Sequence, residues 1–322
     1  MSPEGFLADV LSAPERLART LDAYTGEGSP LRALPPPAPE RVLLIGMGSS
    51  HYAALTAAAH LRARGVDAVA ELASTGLASA PRSGTLAVGI SASGATPETV
   101  AALARHRGTA VTVAVTNRPE SDLGGVADVT LPLHSGEEAG GVACVSFQAT
   151  LAVLLLLCGR LTGAPTEPEL RPAVEAAAVL REARDDWLDP VLGLLEGAQT
   201  ITTIAPAERL SSALQGALML REGPRLPAVA TETGDWLHVD VYLTKRPGYR
   251  ALLFAGSRFD ADVLEWAAKR GATVVSVGAA VPRAAAAISY PKAADGLVAT
   301  LVETGVPELL AAELWRRATA GG

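Results

Sequence analysis

The chain has 322 residues, of which 49% are hydrophobic but only 4% aromatic, and a formal net charge of −7. This length exceeds a typical single domain and fits two, with cores built from Ala, Val and Leu as in helix-covered parallel sheets. The acidic balance offers no general attraction to nucleic acid or an anionic membrane, and neither is expected as a partner.

Residues 6–24 form an amphipathic segment that leads through Pro35-Pro36-Pro37-Ala38-Pro39 into the first domain. The opening Met1-Ser2-Pro3-Glu4 carries an acid where a signal peptide carries bases, so no export is expected. Strands are predicted at 41–45, 68–71, 85–90, 110–115 and 129–131, with helices at 52–63, 97–106 and 142–161. The run 150–158 is about half the length of a membrane span and reads as a buried helix. Gly163-Ala164-Pro165-Thr166-Glu167-Pro168 combines helix stops with polar residues and marks the domain boundary. Beyond it come helices at 171–187, 210–222, 260–269 and 307–318, and strands at 200–204, 249–254 and 272–277. The organisation is therefore an N-terminal helical arm (1–40), a first domain (41–163) and a second (164–322) that repeats it in outline. Alternating strands and helices argue for an α/β fold with doubly wound, mainly parallel sheets. Cys144 and Cys158, the only cysteines, lie in apolar sequence and suit a reducing, cytoplasmic setting.

Two loops carry chemistry. Gly46-Met47-Gly48-Ser49-Ser50 follows a strand and opens a helix, so its backbone N–H groups can converge on an anion, with the serines as added donors. The same composition suits a plain capping turn, or a nicotinamide site with Glu71 as the ribose acid. Against the latter, His51 replaces the third glycine of the dinucleotide fingerprint. Ser91-Ala92-Ser93-Gly94-Ala95-Thr96 again joins strand to helix, with three hydroxyls in about one turn. Its plain alternative is an N-cap at Thr96 before Pro97. Together the loops can close on one phosphate, held by neutral donors and helix dipoles.

These loops, Thr116-Asn117, and Gly136-Glu137-Glu138-Ala139-Gly140-Gly141-Val142-Ala143 resemble the motifs of the tandem sugar isomerase (SIS) family, as in the isomerase half of glucosamine-6-phosphate synthase. The resemblance spans most of the chain and implies two tandem SIS domains. It places phosphate binding on Gly48, Ser49, Ser50, Ser91, Ser93 and Thr96, and sugar contacts on Val142 and Cys144. Ala213-Leu214-Gln215-Gly216-Ala217-Leu218-Met219-Leu220-Arg221-Glu222 resembles the family's catalytic helix, which makes Glu222 the proton-transferring base. Such a carboxylate can move a proton between adjacent carbons when burial raises its pKa. Gly234-Asp235-Trp236-Leu237-His238 resembles the segment whose histidine opens the sugar ring from a neighbouring subunit; His238 would inherit that role and require a homodimer with composite sites.

The chain departs from the family at several positions. Cys144-Val145-Ser146 replaces Ser-Thr-Lys, Met219 replaces a Lys, Gln215 replaces a Glu, and Ala205-Pro206-Ala207 replaces Gly-Arg-Gly. A glutaminase domain and the family's tail lysine are not expected. The other histidines, His51, His60, His106 and His134, have no metal-ligand spacing, so neither metal nor cofactor is expected. The resulting expectation is a phosphosugar isomerase, or an aminosugar-phosphate deaminase or deglycase; the alternative is a non-catalytic sugar-phosphate sensor.

Overall fold

The computed structural model describes residues 1–36 and 38–320; Pro37 of the proline run and the last two glycines of the second predicted domain lie outside the described residues. Two compact units are present, one of Glu15–Glu137 and Val145–Arg171, the other of Met1–Pro14, Glu138–Cys144 and Pro172–Gly322. The last passage between them falls at Arg171, a few residues beyond the proline-marked stretch. The segment Glu138–Cys144 and the first residues of the N-terminal helix group with the second sheet.

The first unit is built on β1 (Arg41–Gly46), β2 (Asp67–Leu72), β3 (Thr85–Ile90), β4 (Val111–Thr116) and β5 (Val129–Pro132). All pairings are parallel, in the order β2-β1-β3-β4-β5. β3 is buried throughout and β1 nearly so, which explains their unbroken apolar reading. Helices α1 (Pro3–Ala23), α2 (Ser49–Arg62), α3 (Pro97–Ala104), α4 (Asp122–Gly125), α5 (Val145–Thr162) and α6 (Glu167–Leu170) precede the second sheet in sequence. Leu103 of α3 and Leu123 of α4 pack on Ala87 and Ala114 of the sheet. By length and composition α5 could cross a membrane, but 78% of it is buried inside the protein, as expected of a core helix.

The second sheet comprises β6 (Ile201–Ala205), β7 (Ala228–Glu232), β8 (Arg250–Phe254), β9 (Thr273–Val277) and β10 (Ala286–Ile288). Its order, β10-β9-β8-β6-β7, is that of the first sheet read from the other end, and it too is wholly parallel. Its helices are α7 (Pro172–Glu182), α8 (Arg184–Leu195), α9 (Leu210–Glu222), α10 (Thr233–His238), α11 (Asp260–Lys269), α12 (Gly296–Val302) and α13 (Gly305–Ala320). Trp236, Val263 and Leu264 pack with Ile204 and Leu253 in its core.

Several elements differ from expectation. The helix predicted at 142–161 starts at Val145, leaving Val142 and Cys144 in irregular backbone. That predicted at 171–187 is two helices that part at Ala183. β7, β10 and α12 were not predicted. β7 is a short edge strand whose burial follows no two-residue alternation, and β10 has three residues, too few for a period to register.

Candidate functional site

In the first unit, β1 and β3 are neighbours paired in register, Gly46 opposite Ile90. The strand order reverses between them, and such a switch point opens a crevice beyond the strands' carboxyl ends. The turn 47–48 and the loop 91–96 therefore leave adjacent strands at the same level. Gly48 precedes α2 with φ +51° and Thr96 precedes α3; neither helix start has a side-chain cap bond. Instead the Thr96 hydroxyl shares a hydrogen bond with buried Ser91 Oγ at 2.9 Å, and Ser91 Oγ lies 3.4 Å from Ser93 Oγ. Gly94 N–H donates to Ser91 Oγ and Ala95 N–H to Ser93 Oγ. Gly94 adopts φ +67°, and a Cβ there would stand 1.9 Å from Ser121 Oγ, so only glycine fits this turn. The structure thus gathers Ser91, Ser93 and Thr96 into one cluster, with Gly48 at the turn after the neighbouring strand and Ser49 and Ser50 opening α2, three residues earlier than the predicted helix start.

The end of β4 braces the second loop. Thr116 Oγ1 and Asn117 N–H both donate to the Ala92 carbonyl. The Asn117 amide binds Ser135 in both directions and donates to the Gly136 carbonyl, so this residue ties two loops together. Glu71, the candidate ribose acid, accepts from Ser79 N–H and Oγ instead. With that carboxylate engaged and a strand order unlike the dinucleotide fold's, the nicotinamide reading loses its main support.

The second unit holds the remaining predicted residues. Glu222 ends α9 half-buried, and burial raises its pKa against the opposing pull of Arg225 and Arg221. His238 is the exposed last residue of α10, which is anchored by Trp236 Nε1 donating to the Tyr249 hydroxyl at 2.8 Å and by the Glu232 carboxylate accepting from Asp235 N–H. Val142 and Cys144 are buried. The Cys144 N–H donates to Glu138 Oε1 at 3.1 Å and its Sγ lies 3.5 Å from Oε2. Gln215 Nε2 donates to the Ala143 carbonyl at 2.7 Å.

Sequence reasoning missed two contributors to this segment. Glu138 was legible only as part of a motif, and Asp9, which accepts from Gly140 N–H, had no sequence signal because the two are far apart in the chain. Among the described residues no group of three or more His, Cys, Asp or Glu is arranged to hold a metal ion.

Paired parallel sheets and hydroxyl-rich loops at the carboxyl ends of adjacent strands place the chain in a defined class. Residues 38–159 match the SIS domain, and this is a SIS-domain protein. It is 31% identical over 254 residues, 73% of its length, to the isomerising glutamine–fructose-6-phosphate aminotransferase of Zymomonas mobilis, of which it spans 42%. The chain thus covers less than half of that relative. In fold it matches the C-terminal domain of glucosamine–fructose-6-phosphate aminotransferase from Francisella tularensis, with a TM-score of 0.84, 18% identity, and coverage of 98% of this chain and 99% of that one. Tagatose-6-phosphate ketose/aldose isomerase of Escherichia coli gives a TM-score of 0.81 at 16% identity, covering 96% and 92% of the two chains.

Proposed function

We propose that this protein binds a hexose 6-phosphate through Gly48, Ser49, Ser50, Ser91, Ser93 and Thr96 and converts it, as a phosphosugar isomerase or an aminosugar-phosphate deaminase or deglycase. The observation that carries the reading is the hydroxyl cluster at the β1/β3 switch point. Thr96 stands at the cap position of α3, yet its hydroxyl bonds Ser91 rather than the helix's N–H groups. Those N–H groups, the hydroxyls and the helix dipole then converge on a phosphate without a lysine or arginine in either loop.

In this reading Glu222 removes the proton beside the carbonyl and returns it to the neighbouring carbon, through an enediol or enolamine. His238 opens the ring and comes from the second subunit of a homodimer; Val142 and Cys144 contact the sugar. The two buried free cysteines suit a cytoplasmic setting. The relatives' names, which give fructose 6-phosphate and tagatose 6-phosphate, support a hexose 6-phosphate as the substrate class.

A second reading, a non-catalytic sugar-phosphate sensor, is favoured by one observation. Gln215 and Met219 replace the charged pair of the family's catalytic helix, and they bond each other, Nε2 to Sδ at 3.6 Å. Incubation with a panel of hexose and aminosugar 6-phosphates, followed by NMR for binding and conversion, tests both. Conversion of any member supports the enzyme; binding without conversion across the panel supports the sensor; no binding overturns both.

A further inference from the structure

The segment Glu138–Cys144 has no regular secondary structure, yet side chains fix it at both ends and in the middle. Asp9, fully buried on α1, accepts from Gly140 N–H at 2.7 Å. Gln215, fully buried on α9, donates to the Ala143 carbonyl at 2.7 Å. Glu138 turns back to accept from Cys144 N–H at 3.1 Å. α1 lies close against the segment: a Cβ on Gly140 would stand 2.4 Å from the Phe6 backbone, and one on Gly5 2.8 Å from the Ala139 oxygen.

The Gln215 contact depends on chemistry that a carboxylate lacks. An amide N–H donates to a carbonyl; an ionised glutamate in its place would set acceptor against acceptor in a buried site and leave the carbonyl unmet. Met219, one turn further along α9, offers its sulfur to the same Nε2 rather than a competing charge.

We infer that Gln215 and Asp9 are positioning residues that set the conformation of 138–144 and thereby the places of the buried Val142 and Cys144. Presentation to the sugar rests on the function proposed above, whereas the positioning itself does not. Asp9 acts through a backbone N–H and Gln215 through a backbone carbonyl, so neither contact depends on the side chain it holds, whereas Gly140 is fixed by its close approach to the Phe6 backbone.

Hydrogen exchange of residues 138–144, read by mass spectrometry on the full chain, tests the positioning, and steady-state kinetics on a converted sugar phosphate tests its consequence. In Gln215→Glu the segment exchanges faster than wild type at about pH 8, where the new carboxylate is ionised, and approaches wild type at about pH 5, where burial favours the protonated acid that can donate. Asp9→Ala loosens the segment at both values, and Asp9→Asn, which keeps an acceptor oxygen, restores it. KM rises about tenfold in the loosened variants, the loss of one such contact, with a smaller change in kcat. Wild-type exchange in both Gln215→Glu at the higher pH and Asp9→Ala overturns the proposal. A loosened segment with unchanged KM upholds the positioning and removes 138–144 from the sugar site. Should Gln215→Glu fail to fold, the Asp9 pair alone decides by the same exchange measurement.

Discussion

Thr96 and Ser91 carry the phosphate reading at the scale of single residues, because each hydroxyl is already oriented by the other at 2.9 Å. A pre-oriented donor to a charged group is worth about 1.5–3 kcal/mol, so Ser91→Ala or Thr96→Val weakens sugar-phosphate binding about 10–100-fold. Calorimetric titration with fructose 6-phosphate measures this, and a change below twofold in both variants removes the loop from the site. Glu222 supports a second expectation. Its folded pKa is raised, first by burial, so a base role makes kcat/KM fall as pH drops through a midpoint above the ordinary glutamate value. Glu222→Gln should cost about 10²–10⁴ in turnover while leaving binding intact. Ser91 and Thr96 were expected from the hydroxyl spacing of their loop, and Glu222 from the resemblance of its helix alone. The Ser91–Thr96 bond was not, since the same residues at the same spacing also write an ordinary cap.

Among elements, the turn before α9 is secured by a buried ion pair. Arg209 Nη1 lies 2.7 Å from Glu303 Oε2, with the two side chains 5% and 0% exposed, and Nη2 donates to the Ala255 carbonyl at the end of β8. Burial raises the Glu303 carboxyl to about 7 against the pull of Arg209. Glu303→Ala leaves a guanidinium buried without its partner, a loss of about 3–5 kcal/mol in unfolding free energy, measurable by urea denaturation. An effect under about 1 kcal/mol would mean that water reaches Arg209 in the variant. The sequence revealed neither partner, because α12, which ends beside Glu303, lacked a clear period and the pair is separated by most of the second domain. Long buried elements such as β3 and α5 were legible for the opposite reason: their burial is nearly uniform, so composition alone marks them.

For the whole molecule, the composite site expected from the SIS resemblance makes a quantitative claim. If His238 acts on a neighbouring chain's substrate, mixing the inactive Glu222→Gln and His238→Ala variants creates heterodimers with one intact site of two. Random exchange then restores about a quarter of wild-type activity. No recovery after verified subunit exchange would assign His238 to its own chain's site or to none.

Sequence by itself determined the alternation of strands and helices, the two phosphate-type loops and the segments that resemble the SIS family, because these are local: burial periodicity, glycine placement and hydroxyl spacing act within a few residues. Tertiary structure decided which loops stand side by side, through the parallel register of Gly46 with Ile90, and which distant groups hold the 138–144 segment. It also engaged the Glu71 carboxylate with Ser79, removing a role that its position in sequence had left open. Such pairings join residues whose separation along the chain carries no period, so only the folded backbone brings them within hydrogen-bond range.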